Sequence, residues 1–316
     1  MSKTYNISNI IPKKSAEVKQ VGQLVGSSLS LFCAQAIAVH DGLVVIVTDD
    51  MQQTTRLHEE LKQFSTFPSI FFPDWETLPY DSFSPHQDIV SERLSCLYQL
   101  GHLTKGALIL PINTLMQKVC PQNYLGGHVF MMKKGLAISR ENLRLQLENA
   151  GYRSVSQVME HGEYATRGAL FDIYPMGSEK PYRIDFFDDE IDSIRTFDVE
   201  SQRTLDEINE IQLLPAHEFP FDKTSIELFR SQWREQFEVR LDPESIYQQV
   251  SKNILPTGIE YWQALFFNEP LTPLFSYFLS NTLILTQQIL NNLLINIGKI
   301  SRNVMRVAKS IQCDHC

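Results

Sequence analysis

Apolar positions in the first third of the chain follow two alternating patterns. Leu29, Phe32, Cys33, Ala36 and Ile37 recur at i, i+3, i+4, i+7 and i+8, which predicts an amphipathic helix over 26–40. GLVVIVTDD, residues 42–50, is apolar without alternation, as expected of a strand buried on both faces. DMQQTTRLHEELKQF then predicts a helix with its N-cap near Asp50. SIFFP, DIVSERLSCLYQL and GALILPIN predict a short strand, a helix and another buried strand. Strands alternating with helices imply a parallel sheet with helical crossovers, and residues 1–128 are assigned to this α/β layer.

The pattern changes after residue 128. ISRENLRLQLENAGY predicts a helix capped by Ser139, with Glu141 in its acidic first turn. GALFDIYP, YRIDFF and EIDSIRTFD predict strands, and the Asp188–Asp189 pair between the last two marks a hairpin turn. Residues 129–215 are therefore expected to form a small inserted α+β domain. Residues 216–285 open on a proline-bearing connection, are mainly helical and end on the apolar strand NTLILT, which is expected to rejoin the first sheet. The tail 286–316 is rich in Asn and Ile and almost without acids, which leaves an amphipathic helix or a segment foreign to the fold.

Composition narrows the functional classes. The 316 residues are 43% hydrophobic and 21% charged, enough for two or three globular domains. The net charge of -9 repels a phosphate backbone, so strong nucleic-acid binding by this chain alone is disfavoured. Cys33, Cys96, Cys120, Cys313 and Cys316 are an odd, scattered set, and the amino terminus has no apolar signal core; a reducing cytoplasm is expected. No apolar run reaches the length of a membrane span.

The helix starting near Gly26 stands where a nucleotide-binding sheet places its phosphate loop. A working loop needs two glycines, a lysine for the β- and γ-phosphates and a hydroxyl for magnesium. Here Gly26 lies inside the stretch, but Gln23 and Ser28 stand at the glycine positions and Leu29 at the lysine position. Only Ser30 fits. Leu29 is also on the apolar stripe and is expected to face the core. The strand ending Thr286, Gln287, Gln288 supplies no carboxylate for magnesium. A plain core helix is expected, with no ATP hydrolysis and no bound cofactor.

Other candidates fall away on chemistry. The acids Asp185, Asp188, Asp189, Glu190 and Asp192 lack the glycine and ligand order of a calcium loop and fit a solvated turn. The terminal CDHC has no second cysteine pair, and His86 no partner at metal-site spacing. No metal site is expected, and no nucleophile elbow is present. In YRIDFF, Tyr182, Ile184 and Phe186 share one face, and Arg183, Asp185 and Phe187 the other. An exposed aromatic beside an arginine is the composition of an interface hot spot, and Arg167 in ATRGA is placed to join them. The same residues also fit a bland arrangement in which Arg183 pairs with a nearby acid and Phe187 caps the hairpin.

VTDDMQQTTRLHEELKQF, DWETLPYDSFSPHQDIVSERLS, INTLMQKVCP, QVMEHGEYATRGALFDIYPMGSEKPYRIDFFDDEIDSIRTFD and IELFRSQWREQFEV closely resemble the bacterial transcription-repair coupling factors (Mfd). The resemblance runs over roughly residues 1–285. It implies an α/β fold: a degenerate helicase-like parallel sheet domain, similar to that of the repair helicase UvrB, with an inserted small α+β UvrA-binding domain. It also implies that the nucleotide site has lost its function and that Arg167, Arg183 and Phe187 contact UvrA. The family's RNA-polymerase-binding and DNA-translocating parts are expected to lie outside this chain. Residues 286–316 depart from the family pattern as an out-of-frame or truncated end would. UvrB also carries a long aromatic hairpin that clamps DNA; residues 75–93 are too short for one, and Trp75, Tyr80 and Phe83 are expected to pack as core or lid. The readings of an ATP-driven helicase subunit or a damaged-DNA-binding protein rank below a recruitment module.

Overall fold

A computed structural model describes residues 7–14, 17–22, 24–78, 80–239 and 242–287, and the backbone of a strand at 304–310. The chain divides into two compact units, 1–74 with 99–118 and 273–316, and 75–98 with 119–272.

The first unit is built on a six-stranded sheet. Its order is Val18–Gly22, Val304–Ser310, Thr282–Gln287, Leu43–Thr48, Gly106–Pro111 and Ser69–Phe71, and every neighbouring pair is parallel. The two continuous apolar runs lie at its centre: Leu43 is in register with Gly106 and Val45 with Leu108, and all six residues of each strand are buried. A strand with neighbours on both sides and helices on its faces has little room for polar side chains, hence the missing alternation. NTLILT does return to this sheet, pairing with Leu43–Thr48. Of the tail, Val304–Ser310 is a strand paired between Thr282–Gln287 and Val18–Gly22, and the helix or foreign segment expected for the rest falls on 288–303 and 311–316, outside the described residues.

Helix Ser28–Val39 buries Cys33, Ala36 and Ile37 on the sheet, with Leu29 and Phe32 partly covered. Asp50 caps helix Met51–Phe64 by accepting from the Gln53 backbone N–H at 2.8 Å. The helix contributes Leu57 and Leu61 to the same core.

The second unit contains a twisted sheet in the order Thr204–Ile208, Glu190–Phe197, Tyr182–Phe187, Leu170–Tyr174, Glu163–Arg167 and Arg153–Ser154. It is antiparallel except for the last pair. Helix Arg140–Asn149, capped by Ser139 through the Asn142 N–H, buries Leu143 and Leu147. A ribbon of Phe130–Lys133 with Glu210–Leu213, which the sequence patterns did not indicate, brackets these elements.

Helices Lys223–Gln236 and Ile246–Ser251 belong to this unit too, although residues 216–285 were expected to return to the first domain. Segment 75–98 also joins it, for a visible reason. Arg93, fully buried, donates Nη2 to Glu218 Oε2 at 3.2 Å and stacks 4.9 Å from the Trp75 ring, whose Nε1 donates to Glu218 Oε1 at 3.1 Å. Breaking such a buried pair costs about 3–5 kcal/mol, so these segments stay together. Trp75 is core, as expected. Tyr80 and Phe83 are not: they are 70% and 67% exposed. Tyr80 sits at φ 63° and meets the Tyr261 and Trp262 rings in tilted contacts with centroids 6.0 and 5.4 Å away.

No helix among the described residues is long and apolar enough to cross a membrane.

Candidate functional site

Two places inherit the chemistry raised by the sequence, one in each unit. The first is the phosphate-loop position. The backbone at Gly26 is left-handed, φ 58°, a turn that glycine makes without strain. Ser28 opens the helix and donates its Oγ to the Val25 carbonyl at 2.7 Å. Leu29 packs against the hydrophobic cluster from a partly covered position. Ser30, 2% exposed, donates its hydroxyl to Glu60 Oε2. Arg56 Nε donates to the other Glu60 oxygen at 2.7 Å. Gly26, Leu29, Ser30, Thr48, Arg56 and Glu60 line a cavity of about 220 Å³. The bond from Ser30 and then that from Arg56 hold the Glu60 carboxyl below the usual carboxylate range. A nucleotide's phosphates would meet a carboxylate already paired with Arg56, and no lysine at the loop position to hold them.

The second place is the end of the antiparallel sheet where two hairpins turn together. Strand Glu163–Arg167 turns at Gly168 into Leu170–Tyr174, and Tyr182–Phe187 turns at Asp188 and Asp189 into Glu190–Phe197. Leu170 pairs with Arg167 on one side and Asp185 on the other, so both turns lie at the same end. Residues opposite one another share a face. Arg167, Leu170, Asp172, Arg183, Asp185 and Arg195 are thus on one face, and Tyr164, Phe171, Ile173, Ile184 and Ile194 on the other. The second set is buried and forms the core.

The three candidates occupy different environments on the first face. Phe187 is 74% exposed, one residue before Asp188, whose φ of 51° closes the tight turn. Arg167 is exposed and donates Nη2 to the Ser156 carbonyl at 2.6 Å. Arg183 is more enclosed than its neighbourhood suggested. Its Nε and Nη2 each donate to a different oxygen of Asp172 at 2.8 Å, Nη1 donates to the Gln202 carbonyl at 3.1 Å, and the guanidinium lies 4.8 Å over the Phe197 ring. The Asp172 bonds raise its already high pKa further. Next along the ladder, Arg195 and Ser193 hold Asp185. Asp185 is therefore a cross-strand partner rather than a turn residue. The alternation of FDIY already set Asp172 on the face of Arg183, but the pairing register that puts them opposite each other was needed to see it.

Among the described residues, no group of three or more His, Cys, Asp or Glu side chains is arranged to hold a metal.

Residues 130–219 match the family model described as the UvrB interaction domain. The chain is 63% identical over 274 residues to the transcription-repair-coupling factor of Escherichia coli (strain K12), covering 87% of this chain and 24% of that protein. The transcription-repair-coupling factor of Haemophilus influenzae is 55% identical over 274 residues, 86% of this chain and 24% of its own. That of Myxococcus xanthus is 39% identical over 147 residues, covering 46% and 12%. The chain spans about a quarter of the length of the two most extensive of these matches.

Proposed function

Since the chain belongs to the transcription-repair-coupling factor family over the residues aligned, we propose that it recruits the excision-repair protein UvrA to lesions where RNA polymerase has stalled. The contact face is the paired hairpin end, with Phe187 as its apolar anchor and Arg167 and Arg183 beside it. One observation carries this reading: within the region that matches a UvrB interaction domain, a large aromatic stands 74% exposed at a tight turn, on the sheet face that carries Arg167 and Arg183. An aromatic displayed this way gains most from being covered by a partner.

The arginines then divide the work. Arg167 retains exposed guanidinium donors for an incoming acid. Arg183 is already committed to Asp172, so it sets the shape of the face and contributes to its potential rather than reaching outward. Polymerase and DNA contacts, and ATP-driven movement, belong in this reading to the parts of the longer relatives that this chain does not span. The chain itself hydrolyses no ATP and works in the cytoplasm. A helicase or damaged-DNA-binding role finds less support, because the phosphate loop lacks its lysine and holds a carboxylate.

Capture of this chain on immobilised UvrA tests the proposal. Phe187→Ala is expected to weaken capture by about 30-fold, the loss typical of a hot-spot aromatic. Capture equal to wild type, with the variant shown to be folded, overturns it.

A further inference from the structure

One short segment holds both turns of the paired hairpin end. Gly135 donates its N–H to the Ile191 carbonyl at 2.8 Å, and the Ile191 N–H donates back to the Leu136 carbonyl at 3.0 Å. Ala137 bridges Glu190, and the Ile138 N–H donates to the Asp189 carbonyl at 2.8 Å. Two residues further on, Arg140 donates Nη1 to the Gly168 carbonyl, in the turn of the other hairpin. The next carbonyl in that turn, Ala169, accepts from the N–H of Phe186 at 3.1 Å, one residue before Phe187. Residues 135–140 therefore grip the Asp188–Asp189 turn through backbone and the Gly168 turn through a side chain.

Resting on the docking role given to this face, we propose that Arg140 is a positioning residue: it fixes the Gly168 turn against the Asp188 turn, and so presents Arg167 and Phe187 to the partner at one spacing. Two observations carry this beyond the bond itself. Arg140 is the first residue of helix Arg140–Asn149, where the dipole disfavours a cation and Ser139 already supplies the cap. The helix itself has no use for an arginine there. Gly168 stands in the left-handed region at φ 63°, and a Cβ built on it would meet nothing within 4 Å. With that space open, polar tethers rather than packing hold the turn in place. The rival readings are an exposed cation resting on a carbonyl without consequence, and a cation that touches the partner itself.

The test uses the whole chain, first without a partner. In Arg140→Ala, hydrogen exchange at the amides of Arg167, Leu170 and Phe186 is expected to quicken about fivefold, as for the loss of one hydrogen bond. The unfolding midpoint should not fall, since alanine suits this helix position at least as well. Capture on immobilised UvrA should weaken by about the same factor, because the partner must then order the turn itself. Arg140→Lys should restore both, since one carbonyl needs only one donor. Unchanged exchange in Arg140→Ala overturns the proposal. Weakened capture with unchanged exchange also overturns it and marks Arg140 as a direct contact. Quickened exchange with wild-type capture overturns it too, provided that Phe187→Ala weakens capture in the same assay. If Phe187→Ala captures UvrA as wild type does, the docking reading has failed, and exchange alone then decides whether Arg140 braces the turn.

Discussion

Arg183 and Asp172 face each other across adjacent antiparallel strands and meet in two parallel bonds of 2.8 Å, with side-chain exposures of 15% and 5%. The planar guanidinium fork matches the carboxylate, and neither group has much water to fall back on. Arg183→Ala leaves Asp172 buried without its partner and should cost roughly 3 kcal/mol. Arg183→Lys should recover only part, because a single ammonium cannot make both bonds or stack on Phe197. Chemical denaturation measures this, and a double-mutant cycle with Asp172→Ala isolates the pair. A cycle energy near zero would mean that the pair contributes nothing beyond its two members.

The exposed aromatic should behave in the opposite way. Phe187 has little packing to lose, so Phe187→Ala should change stability by no more than about 0.5 kcal/mol while reducing UvrA capture. Arg167→Ala should likewise be mild in stability, since the guanidinium bonds an exposed backbone carbonyl. This contrast makes Phe187 and Arg167 the clean probes of docking. A binding defect in an Arg183 variant would mix lost contact with a loosened sheet. Unfolding midpoints measured beside the binding data separate the two.

Much of this was legible beforehand, and what was not has a common cause. The central strands stood out because two-sided burial removes nearly every polar residue, with Thr48 at a strand end the exception. The caps at Asp50 and Ser139 and the turn at Asp188–Asp189 are local chemistry, decided within four residues. Phe187 and Arg183 were placed on the correct face by period two alone. The misses are long-range. Strand Val304–Ser310 is held by partners distant in sequence, and its own composition does not indicate a strand. Segment 75–98 changed units because of Arg93 and Glu218, 125 residues apart. The Ser30–Glu60 bond was not legible because the two residues lie thirty positions apart and Glu60 is on a helix read only for its N-cap.

Acidification should destabilise the fold through its histidines. Burial pushes the His217 imidazole down from 6.5 to about 4, and burial also lowers His40 and His58. The unfolded chain takes up a proton at His217 near pH 6.5, whereas the folded chain resists until about pH 4. The contribution is therefore complete above pH 6.5 and is lost as pH falls through that window. For His217 the slope is no steeper than about 1.4 kcal/mol per pH unit. Urea midpoints from pH 7 to 4.5 should show the decline, and His217→Gln should flatten it. An unchanged slope in that variant would assign the decline elsewhere.

Gly258 begins the 3-10 helix Ile259–Phe266 from the left-handed region, φ 75°. A Cβ there would stand 2.3 Å from the Asp81 carbonyl oxygen, and a backbone atom cannot swing away as a side chain can. Gly258→Ala therefore combines a disfavoured conformation with a clash and should cost at least about 2 kcal/mol. The neighbouring Tyr80–Trp262 contact offers a local signal, because the indole should change its fluorescence if the Asp81 loop moves. Wild-type stability and emission in the variant would show that the loop yields freely.

The last prediction concerns the tail, whose composition looked alien and whose described backbone nevertheless completes a sheet. Val304–Ser310 pairs along its length with Val18–Gly22 on one side and Thr282–Gln287 on the other. Among the described residues Val18–Gly22 pairs with no other strand of the sheet, so its attachment depends on this one. A chain ending at residue 287 should lose protection at the amides of both flanking strands. The new edge, Thr282–Gln287, carries Leu283, Ile284 and Leu285 and no charge or proline to blunt it, and an unblunted apolar edge invites strand pairing between molecules. Hydrogen exchange should show fast amides at 18–22 in the truncated chain, with 43–48 and 106–111 still slow. Sedimentation should show self-association rising with concentration. Unchanged exchange at 18–22 would mean that the tail strand adds nothing to the sheet, and that its composition marked a dispensable end after all.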